Sequence, residues 1–206
     1  MKVKNLIFDL GGVIIDLSPA RTVDAFSALS GVVPDEVRKA YLSEPEFFAY
    51  ERGEISDGEF RVAVKRILKF DTSDEVFDEA WNAMLVDLPK AKLNLLDDLR
   101  SKFRVTLLSN TNSIHLDFVN QQMLPKVSEQ IKLDAYFHVA YYSHLVGKRK
   151  PEPIIFQQVL DENGFVPQET VFLDDNPENI QSAARLGIQT FLVKHPDEVF
   201  DFFNTL

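Results

Sequence analysis

Three short apolar runs in this chain end abruptly in polar or acidic residues, and this pattern constrains the fold more than any other feature. Val3, Leu6, Ile7 and Phe8 lead into Asp9-Leu10-Gly11-Gly12. Val105-Thr106-Leu107-Leu108 leads into Ser109-Asn110, and Thr170-Val171-Phe172-Leu173 into Asp174-Asp175. Apolar runs of this length, bounded by turn residues, read as buried strands. Helix-length segments follow them. One begins at Pro89 with Leu93, Leu96 and Leu99 facing inward, and others cover residues 114–123, 151–160 and 178–186. An extended stretch at 137–142 and a strand at 189–193 complete the alternation. Strands alternating with such helices imply crossover connections, hence an α/β fold with a Rossmann-like parallel sheet between two helical layers. The C-terminal strand ends of an open parallel sheet line its ligand crevice. The polar endings should therefore meet on one rim.

Residues 16–87 break the alternation. They read as a run of helices at 19–29, 34–42, 47–50, 56–70 and 73–85, two of them with capping-box starts, Ser56 with Glu59 and Thr72 with Glu75. A block of helices placed after the first strand is expected to form its own small bundle over the sheet. The expected division is a core of residues 1–15 and 88–206 and an inserted helical domain of 16–87.

Composition narrows the function. The 206 residues include no cysteine, which excludes disulfides, thiolate metal sites and cysteine nucleophiles. With 22 Lys+Arg against 32 Asp+Glu the net charge is −10, which argues against a nucleic-acid or anionic-membrane surface. Asp9 and Asp16 interrupt the apolar N-terminal stretch, unlike a signal peptide, and no apolar run approaches the roughly 18 residues of a membrane span. A soluble cytoplasmic protein is expected.

One local feature runs against the acidic balance. Gly147-Lys148-Arg149-Lys150, just before Pro151, is the densest cationic cluster. Carboxylates, a hydroxyl with an amide, and a lysine can thus converge on the rim. Clustered carboxylates repel one another unless a hard cation neutralises them, and Mg²⁺ prefers oxygen ligands and prepares a phosphate site.

In order along the chain, Phe8-Asp9-Leu10-Gly11-Gly12-Val13, Leu108-Ser109-Asn110, Lys150-Pro151 and Leu173-Asp174-Asp175-Asn176 resemble the four motifs of the haloacid dehalogenase superfamily of hydrolases. The helical insert resembles that superfamily's cap placed after the first motif. More narrowly, Glu51-Arg52-Gly53-Glu54-Ile55-Ser56, Ser109-Asn110-Thr111-Asn112 and Arg149-Lys150-Pro151-Glu152 resemble the bacterial α-D-glucose-1-phosphate phosphatase subgroup. The resemblance implies a Mg²⁺-dependent phosphatase acting on a small phosphorylated metabolite. Asp9 would be the nucleophile, forming an aspartyl-phosphate that water hydrolyses. Ser109 and the Asn110 backbone N–H would hold phosphate oxygens, and Lys150 would neutralise the phosphate. Asp9, Asp174, Asp175 and the Gly11 carbonyl would serve the metal. Glu51 and Arg52 are the candidates for contacting the rest of the substrate. A cap face that must open for access favours a monomer.

Gly11 departs from the family pattern. Most phosphatases of the superfamily carry a second aspartate there as general acid/base, a function typically worth about 10²–10⁴-fold. Either another group or water supplies the proton, or the leaving group needs little help, or the protein turns over poorly and mainly binds phosphate. A metal-independent haloacid dehalogenase is a further alternative, against which the Asp174-Asp175 pair counts.

The remaining polar residues have simpler readings. His115, His138, His144 and His195 show no metal-ligand spacing. No nucleophile-elbow pattern surrounds Ser109, and Gly11-Gly12 lacks the rest of a dinucleotide or P-loop fingerprint. The seventeen phenylalanines, Phe200, Phe202 and Phe203 among them, read as core and cap-interface packing.

Overall fold

The computed structural model describes residues 2–204. Strand β1 (Asn5–Phe8) is followed by a two-residue strand β2 (Asp16–Leu17) and then by five helices. These are α1 (Pro19–Ser30), α2 (Pro34–Ser43), α3 (Pro45–Glu51), α4 (Asp57–Leu68) and α5 (Asp74–Asn82). Strand β3 (Leu85–Asp87) closes this block by pairing antiparallel with β2. The chain continues through α6 (Lys90–Arg100), β4 (Arg104–Ser109), α7 (Ser113–Phe118), β5 (Val139–Tyr142), α8 (Ser143–Val146) and α9 (Pro153–Asn163). It ends with β6 (Thr170–Asp174), α10 (Pro177–Arg185), β7 (Gln189–Leu192) and α11 (Glu198–Asn204).

The main sheet has the order β5-β4-β1-β6-β7, and every pairing in it is parallel. All four β1 residues are buried, as a central parallel strand covered on both faces requires. Because successive side chains point to opposite faces, Leu6 and Phe8 join one apolar cluster with Leu93, Leu96, Leu99 and Val199. Ile7 joins the opposite one with Ile155, Phe156 and Phe172. Phe8 pairs in register with Leu107 on one side and Leu173 on the other. That register brings Asp9, Ser109 and Asp174 to one edge of the sheet, as the strand endings predict.

The helices between β2 and β3 pack around their own aromatic cluster of Phe26, Phe47, Phe60, Phe77 and Trp81. Ser56 forms the expected capping box with Glu59. The second predicted box does not form. Ser73, directly before the first helical residue, accepts the Val76 N–H, while the Thr72 carbonyl accepts from Lys65. The helix expected to reach residue 85 stops at Asn82, because Leu85–Asp87 is drawn into the ribbon with β2. Helix α9 starts at Pro153 rather than Pro151, and the helix at 114–123 passes at Val119 into a π-helical turn. Phe203 packs on Phe8 at 5.8 Å, so the C-terminal aromatics serve the sheet core. Among the described residues no helix is long and apolar enough to cross a membrane.

Candidate active site

Asp9 leaves the end of β1 and is 8% exposed; Asp174, the last residue of β6, is fully buried. Between them stands the ammonium of Lys150, from the loop joining α8 to α9. Lys150 Nζ lies 2.7 Å from Asp9 Oδ1 and 2.6 Å from Asp174 Oδ2. Burial alone would make Lys150 easier to deprotonate, but the two carboxylates outweigh it and raise its pKa. The pKa of Asp9 is raised as well, in its case toward the neutral acid. Burial lifts its carboxyl to about 7 against the pull of Lys150, with Asp174 and Asp175 adding repulsion.

Each group is held by local structure. Asp9 Oδ1 also accepts the Leu10 N–H at 2.7 Å. Asp174 Oδ1 accepts the Asn176 N–H at 2.8 Å, and Asn179 Nδ2 reaches both its oxygens at 3.0 and 3.1 Å. Asn179 went unnoticed in the sequence, where the signal was a polar residue on the inward face of a helix five residues after the acid. Asn110 grips the Lys150 backbone with its side chain: Nδ2 donates to the Lys150 carbonyl at 2.8 Å, and Oδ1 accepts the Lys150 N–H at 2.9 Å. Sequence reasoning considered the Asn110 main chain and missed this clamp. Ser109 is buried at the end of β4, with its hydroxyl 3.5 Å from the Asn110 carbonyl.

Two glycines shape the rim. Gly12 has φ +72°, and a Cβ there would sit 2.3 Å from Asp175 Oδ2, so both backbone and contact demand glycine. A Cβ on Gly11 would lie 2.4 Å from Leu17 Cδ1, so an apolar side chain of β2 fills the space beside that backbone. The loop after Asp9 is tied down by Lys92, whose buried ammonium donates to the Val13 carbonyl at 2.5 Å and stands 3.6 Å from Asp16.

Asp9, Asp174 and Asp175 offer one carboxylate oxygen each within 4.8 Å of one another. Three carboxylates face one lysine, and every donor is a hard oxygen. This set fits a Mg²⁺-type cation, which would neutralise the excess charge.

Beside Ser109 and Asn110 a hollow of about 140 Å³ opens between the sheet and the helical insert. Gly11, Leu17, Tyr41, Trp81, Met84 and Glu51 are among the residues lining it. A larger apolar hollow of about 290 Å³ lies within the insert, sharing Tyr41, Trp81 and Met84 but reaching neither Ser109 nor Asn110. Glu51, whose carboxyl is raised by burial against the pull of Arg149, thus reaches the site hollow. Arg52 does not line it and is paired with Glu152. His115 also lines the hollow, but burial depresses its pKa to about 3 and leaves it neutral.

Residues 3–187 match the haloacid dehalogenase-like hydrolase family. The chain is 32% identical over 190 residues to the D-ribitol-5-phosphate phosphatase of Bacteroides thetaiotaomicron, covering 92% of this chain and 91% of that one. A HAD family enzyme from the same organism, solved in complex with magnesium and inorganic phosphate, superposes with a TM-score of 0.83 at 38% identity, over 92% of this chain and 93% of that one. A predicted HAD-like family hydrolase from Porphyromonas gingivalis superposes with a TM-score of 0.89 at 30% identity, over 100% of this chain and 98% of that one. With a sequence match over most of its length and the rim geometry already described, the chain belongs to the haloacid dehalogenase-like hydrolases.

Proposed function

We propose that this protein is a Mg²⁺-dependent phosphatase of small phosphomonoesters that works through Asp9. The observation that carries the reading is the buried contact of Lys150 with both Asp9 and Asp174, beside a third carboxylate on the same rim. Asp9, Asp174 and Asp175, with the Gly11 carbonyl, would hold Mg²⁺, which when bound supplies positive charge to the rim and to the phosphate. An Asp9 carboxylate oxygen attacks phosphorus; the new O–P bond forms as the bond to the leaving oxygen breaks. Lys150 offsets the charge of phosphate and nucleophile. The Ser109 hydroxyl and the Asn110 N–H orient the non-bridging oxygens. Water then attacks the aspartyl-phosphate at phosphorus, returning the Asp9 carboxylate and releasing inorganic phosphate.

The helical block of residues 16–87 acts as a cap over the core of 1–15 and 88–206, and its hollow receives the leaving group. Glu51 faces that group, and Arg52 acts from the cap's edge. The wall there is apolar where Leu17 fills the space beside Gly11, so the departing oxygen takes its proton from water. This favours leaving groups more acidic than ordinary alcohols, such as the anomeric oxygen of a sugar 1-phosphate. The D-ribitol-5-phosphate phosphatase relative supports a second reading, a pentitol phosphate.

Phosphate release from a hexose 1-phosphate, its 6-phosphate isomer and a pentitol 5-phosphate, with and without Mg²⁺, tests both levels. Asp9→Asn should lower kcat by about 10³-fold or more, since no acyl phosphate can form. Mg²⁺-independent turnover, or activity surviving in Asp9→Asn, would refute the phosphatase reading. Equal kcat/KM for the two hexose phosphates would refute the anomeric preference alone.

A further inference from the structure

Two side chains at the end of α3 leave the helical insert and cross to the loop that carries Lys150. Arg149 Nε donates to Glu51 Oε2 at 2.8 Å, and Arg52 pairs with Glu152. Neighbouring charges of opposite sign, acid then base, thus meet base then acid on the far side. The Arg149 guanidinium also lies over the Phe48 ring at 4.8 Å, so the same helix holds it by two kinds of contact. Beyond the pairs, a Cβ on Gly53 would stand only 2.1 Å from the His144 carbonyl oxygen, which shows how closely this corner is seated on the core.

Lys150 sits between the two anchored residues, Arg149 and Glu152. On its other side Asn110 holds both its N–H and its carbonyl. The two rim carboxylates would attract an ammonium from many backbone positions, since a lysine stem is flexible. The backbone that carries the ammonium is gripped by Asn110 from the core, and the side chains of Arg149 and Glu152 on either side of it are held by Glu51 and Arg52 from the insert. All four charged side chains are at most 36% exposed, Glu51 and Arg149 only 18% and 20%, so solvent screens these pairs less than ordinary surface pairs.

We infer that Glu51, Arg52, Arg149 and Glu152 form a reciprocal latch whose closure positions Lys150 against Asp9. They are positioning residues, and the seat of the insert reaches the chemistry through the backbone of 149–152. The kinetic side of this inference rests on the phosphatase reading; the structural side does not.

The test uses the Arg52–Glu152 pair, because neither residue lines the site hollow. Arg52→Gln and Glu152→Gln should each lower kcat by about tenfold, as small misplacements near the reacting atoms do, while KM changes less than twofold. The double variant should be no worse than either single one, because the pair acts as a unit. Exchanging the charges, Arg52→Glu with Glu152→Arg, should restore most of the loss. Hydrogen exchange at residues 149 and 150 should quicken about tenfold in Arg52→Gln, although Arg52 touches neither, while β1 stays as protected as in the wild type. Additive losses in kcat, or unchanged exchange at Lys150, would overturn the latch. If the wild type released no phosphate from any ester, the catalytic reading would fall, and the exchange measurement would still decide the latch.

Discussion

At the sheet rim the buried residues are charges, and in the inserted helices they are aromatic rings. Lys150, Asp9 and Asp174 are each less than 10% exposed, and their contacts with one another are ionic. In the insert, Phe60 is completely buried, stacked on Tyr50 at 4.0 Å and set edge-on to Phe47 and Phe77 at 5.6 and 5.9 Å. Burying rings is favourable in itself, by area and by ring geometry. Burying ions is not, because desolvation consumes most of what their attraction returns. The insert is therefore built for stability, and the rim spends stability on a prepared electrostatic field. Variants in the two regions should fail in different ways.

The largest expected effect belongs to the insert. Phe60→Ala should cost about 3–5 kcal/mol, the range for removing a buried aromatic ring. For a chain of this size each kcal/mol lowers Tm by about 2–4 °C. Well below the new midpoint, phosphate release per folded molecule should stay within about twofold of the wild type. A loss of activity without a loss of stability would break the division between the two regions.

The next effect belongs to the rim. Three carboxylates against one lysine leave an excess of negative charge that a divalent cation relieves. Mg²⁺ at a hundred times its Kd should stabilise the fold by about 2.7 kcal/mol. The gain should shrink in Asp175→Asn, whose carboxylate is the exposed member of the three. A denaturation midpoint that does not move with saturating Mg²⁺ would show that the rim holds no such ion.

These two regions were unequally legible in the sequence. The rim could be read because strand ends carry their chemistry in consecutive residues, as in Leu108-Ser109-Asn110, and parallel pairing places those ends side by side. The insert could be read as a run of helices that breaks the alternation, but not which rings meet. Contacts that join distant segments left no local trace. Arg52 and Glu152 are a hundred positions apart, and Asn110 reaches forty residues ahead to clamp Lys150. Leu17 beside Gly11 depends on how a two-residue ribbon folds back. Nothing local marks Lys92 on α6 as buried, and only the loop turning over it gives its ammonium a buried carbonyl. Local pattern specifies elements and their ends, and tertiary packing specifies partners.

The smallest effect lies where the two regions touch. His115, near the start of α7, stacks on Trp81 of the insert at 4.8 Å, and its Nδ1 lies 2.8 Å from Asn82 Oδ1, an acceptor that fixes the ring as the Nδ1–H form. Burial holds its pKa at about 3 in the folded chain, against 6.5 for an ordinary histidine. Between these values the unfolded chain binds a proton that the folded chain refuses, so stability rises with pH there. The contribution is complete above pH 6.5 and is lost as pH falls toward 3. At pH 5.5 the loss from this one residue should be about 1.4 kcal/mol. Denaturant titrations from pH 7.5 to 5, followed by the emission of Trp81, the single tryptophan, should show this slope in the wild type. His115→Gln should flatten it. A slope unchanged by that substitution would place the acid-sensitive group on the charged rim instead of at the seam between sheet and insert.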